Sequence, residues 1–518
     1  MKAVPNRREQ VAVLEKAFSV LEQFVPDAPS LRIVDIAARC GLNRSSAQRL
    51  VQTLVKAGWL ARSESSGLFS LSHRCGYPAH VFLQCNTVIE LVMPLVVELN
   101  ARTGASCDLW LLDGNSLVTL ARAPSPTASL SLAPVGSRQE LHESASGRAL
   151  LAIMPTAELE TYLSDYAEKR GSAAMEALAL SIDREREQGY AADAPGKGGG
   201  VETIATAFHD ASGRPVAVVS LSGVLSSTPR EMAASILIET CKRLDELRIL
   251  PQPRPANLEP VARVIWPLSD DDNDRLVITA VSRAFHLIQF FHPLQPLLTL
   301  TELSRKSGLP IPTVQRITET LIALGYLERD ALEKTFSLSV RWLDFLYRYQ
   351  MGSMLIRSMW PRLVRLREES GLRCSFCILD RTEIAHLMLV QSRPHQSFRS
   401  VYPGARLPAV STSGGRAILS CLPRSELEEI LAESIILAVT AHTVLDKDLI
   451  REEILSIEDS HIAYTDQQTV REEVNIAMAV TGVDGRPLGA MVVSASIADW
   501  SIERLKSEIA PLLRSFIS

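Results

Sequence analysis

Gly41-Leu42-Asn43-Arg44-Ser45-Ser46-Ala47-Gln48-Arg49-Leu50-Val51 joins two short stretches of helical apolar spacing. A glycine leaving one helix supplies the positive φ of a tight turn, so two helices meet here. Before it, residues 31–40 put Ile33, Ile36 and Ala37 on one face. After it, residues 44–57 do the same with Ala47, Leu50, Val51 and Leu54. Further out, residues 11–24 read as a core-facing helix through Val13, Leu14, Ala17, Phe18 and Leu21. Beyond Gly58, residues 59–62 and 68–71 read as a two-stranded hairpin. This order is the winged helix-turn-helix pattern, in which the helix after the turn enters the DNA major groove.

The same stretch returns 267 positions later. Gly41-Leu42 recurs as Gly308-Leu309, Ala17-Phe18 as Ala284-Phe285, and Gln48-Arg49 as Gln315-Arg316. Phe69-Ser70-Leu71-Ser72 recurs unchanged as Phe336-Ser337-Leu338-Ser339. Gly147-Arg148-Ala149 pairs with Gly415-Arg416-Ala417 at an offset of 268, and Gly213-Arg214-Pro215 with Gly485-Arg486-Pro487 at 272. A unit of roughly 250 residues is duplicated end to end, its drifting offset being what loop insertions produce. The proline-rich and then acidic stretch 251–275 reads as a linker. The domains expected are therefore winged helices over 1–75 and 276–342, and strand-and-helix domains over 76–250 and 343–518.

Composition narrows the function. The chain has 518 residues, 46 % of them apolar and 22 % charged, with a net charge of −5, so it is neither disordered nor a polycation coating nucleic acid. No apolar run follows the N-terminal Met1-Lys2-Ala3-Val4-Pro5, which argues against a signal peptide. The most apolar stretches, 91–99 and 435–441, fall far short of the roughly 18–20 residues of a membrane helix. The eight cysteines form no disulfide framework, and Cys374-x-x-Cys377 has no second pair at metal spacing. A cytoplasmic protein is expected, without metal, cofactor or membrane contact.

Local charge points to DNA. Over residues 1–62, ten Lys and Arg stand against five Asp and Glu, a net +5 on an acidic chain. The outer face of the helix after the first turn carries Arg44, Ser45, Ser46, Gln48, Arg49 and Gln52, with Arg62 on the hairpin, all suited to phosphates and base edges. The second copy keeps Thr313, Gln315, Arg316 and Arg329, but Ile311 stands where the first has Arg44 and its wing is more acidic. A weaker DNA contact is expected from that half. The alternative is a ligand-sensing, protein-binding module whose second winged helix has left DNA.

With its Gly-Leu-x-x-[Ser/Pro]-[Ser/Thr]-x-x-Arg core, each unit resembles an IclR-family transcriptional regulator, and the resemblance covers nearly the whole chain twice. It implies an α+β chain in which each winged helix precedes a GAF-like α/β effector domain. It also implies a double-stranded operator, a small organic acid as effector, and assembly of chains into a homo-oligomer. A tandem chain then looks like a covalent pseudo-dimer.

In the first large domain, a small-residue loop runs through Ser144 into a helix starting Ala145-Ser146-Gly147, whose N–H groups suit an anion. The resemblance places the polar effector contacts on Asp193, Thr203, Ser220 and Ser222 above that floor. In the second copy they fall on Thr465, Asn475, Val492 and Ser494, above Ser413, Gly414 and Gly415. Gly196 and Gln468 depart from the acidic residue the family carries there, and Val492 deletes a hydroxyl, so the two pockets are expected to differ in ligand. Enzyme signatures are missing. There is no Gly-x-Ser-x-Gly, His-Glu-x-x-His or P-loop, and Gly196-Lys197-Gly198-Gly199-Gly200 precedes a strand where a phosphate loop needs a helix. His142 beside Ser144 and Ser146 lacks an orienting acid.

Overall fold

A computed structural model describes residues 7–125, 135–193, 202–223, 229–256, 265, 277–392 and 402–517. Most of the expected linker and all of Gly196–Gly200 lie outside them. The chain divides into two compact units: Cys85–Arg254, and Met1–Gln84 together with Pro255–Ser518.

The second of these units contains both winged helices. The first has helices Arg7–Glu22, Ile33–Arg39 and Arg44–Lys56, then strands Leu60–Arg62 and Phe69–Leu71. Its wing has three strands, not the two expected. Ser30–Leu31 pairs antiparallel with Phe69–Leu71, so Leu31 belongs to the sheet and the following helix opens only at Ile33. The second copy repeats this with helices Thr279–Ile288, Leu300–Ser307 and Ile311–Ala323 and strands Leu298–Thr299, Leu327–Arg329 and Thr335–Leu338. Its third helix starts one residue before Pro312, because proline suits the first turn. Gly41 and Gly308 have φ of 61° and 69°, left-handed values that allow each helix-to-helix turn.

One aromatic core serves both winged helices. Phe18 lies 5.2 Å from Phe285, its own counterpart in the repeat, and stacks on Tyr326 at 4.1 Å. Trp59 meets Phe285 at 4.5 Å and Trp342 at 5.5 Å. All five side chains are essentially inaccessible to solvent. Contact between equivalent residues is the mark of a two-fold interface, here closed within one chain. At its edge Glu22 accepts from the Tyr326 hydroxyl (2.8 Å) and from Arg341 (2.9 Å).

Each large domain is a six-stranded antiparallel sheet. In the first the order is Arg138–Glu140, Ser116–Ala123, Ser106–Asp113, Pro215–Ser222, Thr203–His209, Ala191–Asp193. Helix Ala145–Ile153 packs across it over a cluster that includes Trp110, Leu117 and Val218. The second domain has the same order in Arg406–Pro408, Glu383–Val390, Arg373–Asp380, Pro487–Ser496, Glu473–Thr481, Ile462–Asp466, with helix Ser413–Leu419 in the equivalent place. The repeated glycine of these helices is a matter of space. A Cβ on Gly147 would sit 2.1 Å from the Leu141 carbonyl oxygen, and one on Gly415 2.0 Å from that of Ala409. No helix among the described residues is long and apolar enough to cross a membrane.

Candidate nucleic-acid interface and effector pockets

Helix Arg44–Lys56 buries Ala47, Leu50, Val51 and Leu54 and is capped by Asn43, whose side chain accepts from the Ser46 N–H at 2.8 Å. That leaves Arg44, Ser45, Gln48 and Arg49 exposed, with Ser46 and Gln52 half-buried. Among the described residues, the side chains of Arg44, Gln48 and Arg49 hold no ion pair, so a row of unneutralised donors faces outward. Arg62 on the wing lies over the Phe69 ring at 5.9 Å, which points its exposed head away from the core.

In the second copy the same scaffold is partly occupied with itself. Ile311 is 48 % exposed in Arg44's place. Gln315 donates to Glu319 (2.9 Å) and Arg316 to the Pro312 carbonyl (3.2 Å), while Thr313 is half-buried. Only Arg329, over Phe336 at 5.9 Å, repeats its counterpart Arg62 closely.

The first large domain brings its expected effector residues to one place, and two of them already hold partners of the same domain. The Ala145 N–H donates to Asp193 Oδ2 at 2.7 Å, so this helix start is already occupied by an anion of its own chain. Arg148 donates to the other Asp193 oxygen (2.9 Å) and to Glu185 (2.8 Å). Ser220, 1 % exposed, accepts from the Trp110 indole N–H at 3.0 Å. Ser146 is buried, and Thr203 and Ser222 are half-buried partners in register on neighbouring strands. The helix-start N–H of Ala145, expected to be free for an anion, is thus held by Asp193, and the Ser220 hydroxyl already has the Trp110 indole as a partner. Ser220→Val should leave the indole N–H buried without an acceptor and cost about 1–3 kcal/mol, read from urea unfolding of the full chain.

The second domain differs at the same positions. Cys377 and Val492 replace Trp110 and Ser220, so donor and acceptor have gone together and an apolar contact remains. Gly414 replaces Ser146, and a Cβ there would meet Cys377 Sγ at 2.7 Å. Here a small cavity of about 50 Å³ lies at the equivalent place. Its lining includes Ser413, Gly414, Asn475 and Ser494 of the expected set, and Thr465. Ser494 donates to Asn475 Oδ1 at 2.6 Å. Gln468, the departure noted in the sequence, accepts from Arg416 at 2.7 Å, and so takes over an arginine whose counterpart binds Asp193. Cys374 and Cys377 touch different helices, and burial pushes both thiols up to about 12.

The IclR helix-turn-helix domain model matches residues 13–64 and 280–331, and the model of the bacterial transcriptional regulator IclR C-terminal domain matches residues 80–243 and 349–516. The chain belongs to the IclR family, in tandem. It is 29 % identical over 217 residues to the HTH-type transcriptional regulator XynR of Escherichia coli (strain K12), a match covering 41 % of this chain and 86 % of that protein. It is 25 % identical over 236 residues to the Pca regulon regulatory protein of Pseudomonas putida, covering 46 % and 80 %. Among solved structures, it is similar to an IclR homolog complexed with 4-hydroxybenzoate from Microbacterium hydrocarbonoxydans, with 26 % identity and a TM-score of 0.37 over 45 % of this chain and 98 % of that one.

Two features of this tandem IclR chain escape sequence reading. One is a buried charge cluster in which Asp380, at the end of a strand of the second effector domain, grips the end of the first winged helix. It accepts from Arg74 (3.0 Å), His73 (3.0 Å) and Arg406 (2.8 Å), and Arg406 also donates to Glu383 (2.7 Å). Burial would raise the Asp380 carboxyl, but the His73 hydrogen bond and the Arg406 and Arg74 cations together hold it far below the usual carboxylate range. The other is Arg373 with His386 and Glu473 in the second cavity. No spacing rule links residues 306 positions apart, and no motif marks a cavity wall.

Proposed function

We propose that the chain is a sequence-specific DNA-binding transcriptional regulator working as a covalent pseudo-dimer, with DNA affinity set by a small organic acid. The observation that carries this reading is the single aromatic core beneath both winged helices, which holds two unequal recognition helices in fixed relation. Its setting would be the cytoplasm, where all eight free thiols stay reduced. The acid acts by favouring one arrangement of the paired helices, with a coupling of about 1–3 kcal/mol.

The test is mobility shift on DNA selected from a random pool by the full chain. Arg49→Ala is expected to weaken binding on all sequences and lower the salt slope by about one, as a lost phosphate contact does. Arg44→Ala and Gln48→Ala should instead relax base preference in one half-site. Because Ile311 faces the other half, the selected site should be asymmetric. Intact binding by the triple variant would favour a protein-binding role.

A further inference from the structure

The two recognition helices are copies held about one pseudo-two-fold, so each serves as a control for the other. Phe18 meets its own counterpart Phe285 in the shared core, and Arg44 and Ile311 are the first residues of the two helices. The base-pair position that Arg44 reaches in one half-site is therefore the one that Ile311 reaches in the other. Arg44 brings a guanidinium fork, which fits the O6 and N7 acceptors of guanine. Ile311 brings only hydrocarbon, and the residue is 48 % exposed.

The rest of the second helix offers a duplex little that competes with it. Gln315 is engaged by Glu319 at 2.9 Å and Arg316 by the Pro312 carbonyl at 3.2 Å. Charge changes in the same sense. Residues 44–67 carry Arg44, Arg49, Lys56 and Arg62 against Glu64, a net +3. Residues 311–334 carry Arg316, Arg329 and Lys334 against Glu319, Glu328, Asp330 and Glu333, a net −1. Phosphate attraction thus comes from the first half, and what the second half adds is contact with base edges. Its helix start agrees. Pro310 replaces the capping Asn43, and Pro312 removes a backbone N–H from the first turn. Prolines on both sides stiffen the backbone at Ile311, so little conformational freedom is lost when its side chain is pressed against a surface.

We propose that Ile311 is a specificity-determining residue that reads the C5-methyl group of a thymine in the major groove of the second half-site, at the position where Arg44 reads a guanine in the first. The thymine methyl is the one apolar group among the major-groove base edges, so a bare aliphatic side chain has a single kind of partner there. The proposal deepens the regulator reading and rests on it. It makes the operator asymmetric in a stated way, with guanine in one half, thymine in the other, and the salt dependence concentrated in the guanine half.

Fluorescence anisotropy of the full chain on the DNA it selects from a random pool tests this. Arg44→Ala tells the half-sites apart, because it relaxes guanine preference in its own half. Each thymine of the other half is then replaced in turn by deoxyuridine, which lacks only the methyl group. One such replacement should weaken wild-type binding about fourfold, the contribution of one buried methyl-sized group. Ile311→Ala should bind the thymine and deoxyuridine duplexes alike. Ile311→Arg should shift preference at that position from thymine to guanine and bring the selected site closer to a palindrome, a gain that misfolding does not produce. The proposal is overturned if the second half selects no thymine, if no deoxyuridine weakens binding, if Ile311→Ala keeps the difference, or if Ile311→Arg still prefers thymine. Selection of the Arg44 half-site alone also overturns it, and leaves the second face to a protein partner. In each of these cases, loss of binding in the Arg44, Gln48 and Arg49 triple variant keeps the regulator reading standing, whereas a chain that selects no DNA overturns both.

Discussion

Asp380→Asn is expected to destabilise the chain by about 3–5 kcal/mol, because it leaves the Arg74 and Arg406 cations together without their shared counter-charge. The side chains concerned are 17 % exposed for Arg74, 7 % for Asp380 and 3 % for Arg406, so water cannot substitute for the lost carboxylate. Chemical denaturation should show an earlier transition for the joint between the first winged helix and the second effector domain. The acid dependence should change as well. A carboxyl held below its unfolded value contributes stability that is fully present above about pH 4 and is lost as pH falls through the folded value. His73 is held below its ordinary value by burial, against the pull of Asp380, and its protonation acts in the same direction. The wild-type cluster is therefore intact at neutral pH and gives way only in acid. The variant should lose this steep acid limb, and unchanged stability in it would show that the cluster does not hold the joint.

Trp342→Ala should cost about 3–5 kcal/mol, the usual range for deleting a fully buried large aromatic. Trp342 has no exposed surface, donates its indole N–H to the Tyr326 carbonyl at 2.8 Å, and touches Phe18 and Trp59 of the other winged helix. The cavity falls between the two DNA-binding domains, so its effect is not confined to stability. Affinity for the selected operator should drop steeply, since the second recognition helix is no longer held in register with the first. Affinity for DNA carrying only the half-site of Arg44 should change little. If both fall in parallel, the aromatic core supports each winged helix separately and does not pair them.

Much of the architecture was legible in order along the chain. Gly41-Leu42 and its recurrence as Gly308-Leu309 located both recognition helices to within a residue, because helix turns are short-range events governed by local φ and apolar spacing. The exposed faces followed from the same periodicity, which is why Arg44, Gln48 and Arg49 lie outside as expected. Strand Ser30–Leu31 was not legible. Two residues carry no alternation to read, and their pairing with Phe69 is a contact across nearly forty positions.

The pockets mark the other limit. Ser220 reads as a free hydroxyl until Trp110 is seen to donate to it, and Val492 reads as a lost contact until Cys377 is seen to have lost the donor. Each change makes sense only with its partner on the neighbouring strand. The sequence by itself determined the duplication, the winged helices and which of their side chains face outward, since repeats and periodicity are properties of the chain in order. Only the tertiary structure decided which carboxylate holds the first winged helix, that Trp110 donates to Ser220, and that Phe18 meets Phe285. Those outcomes depend on which buried polar and aromatic groups find partners far along the chain, and distance in sequence carries no information about that.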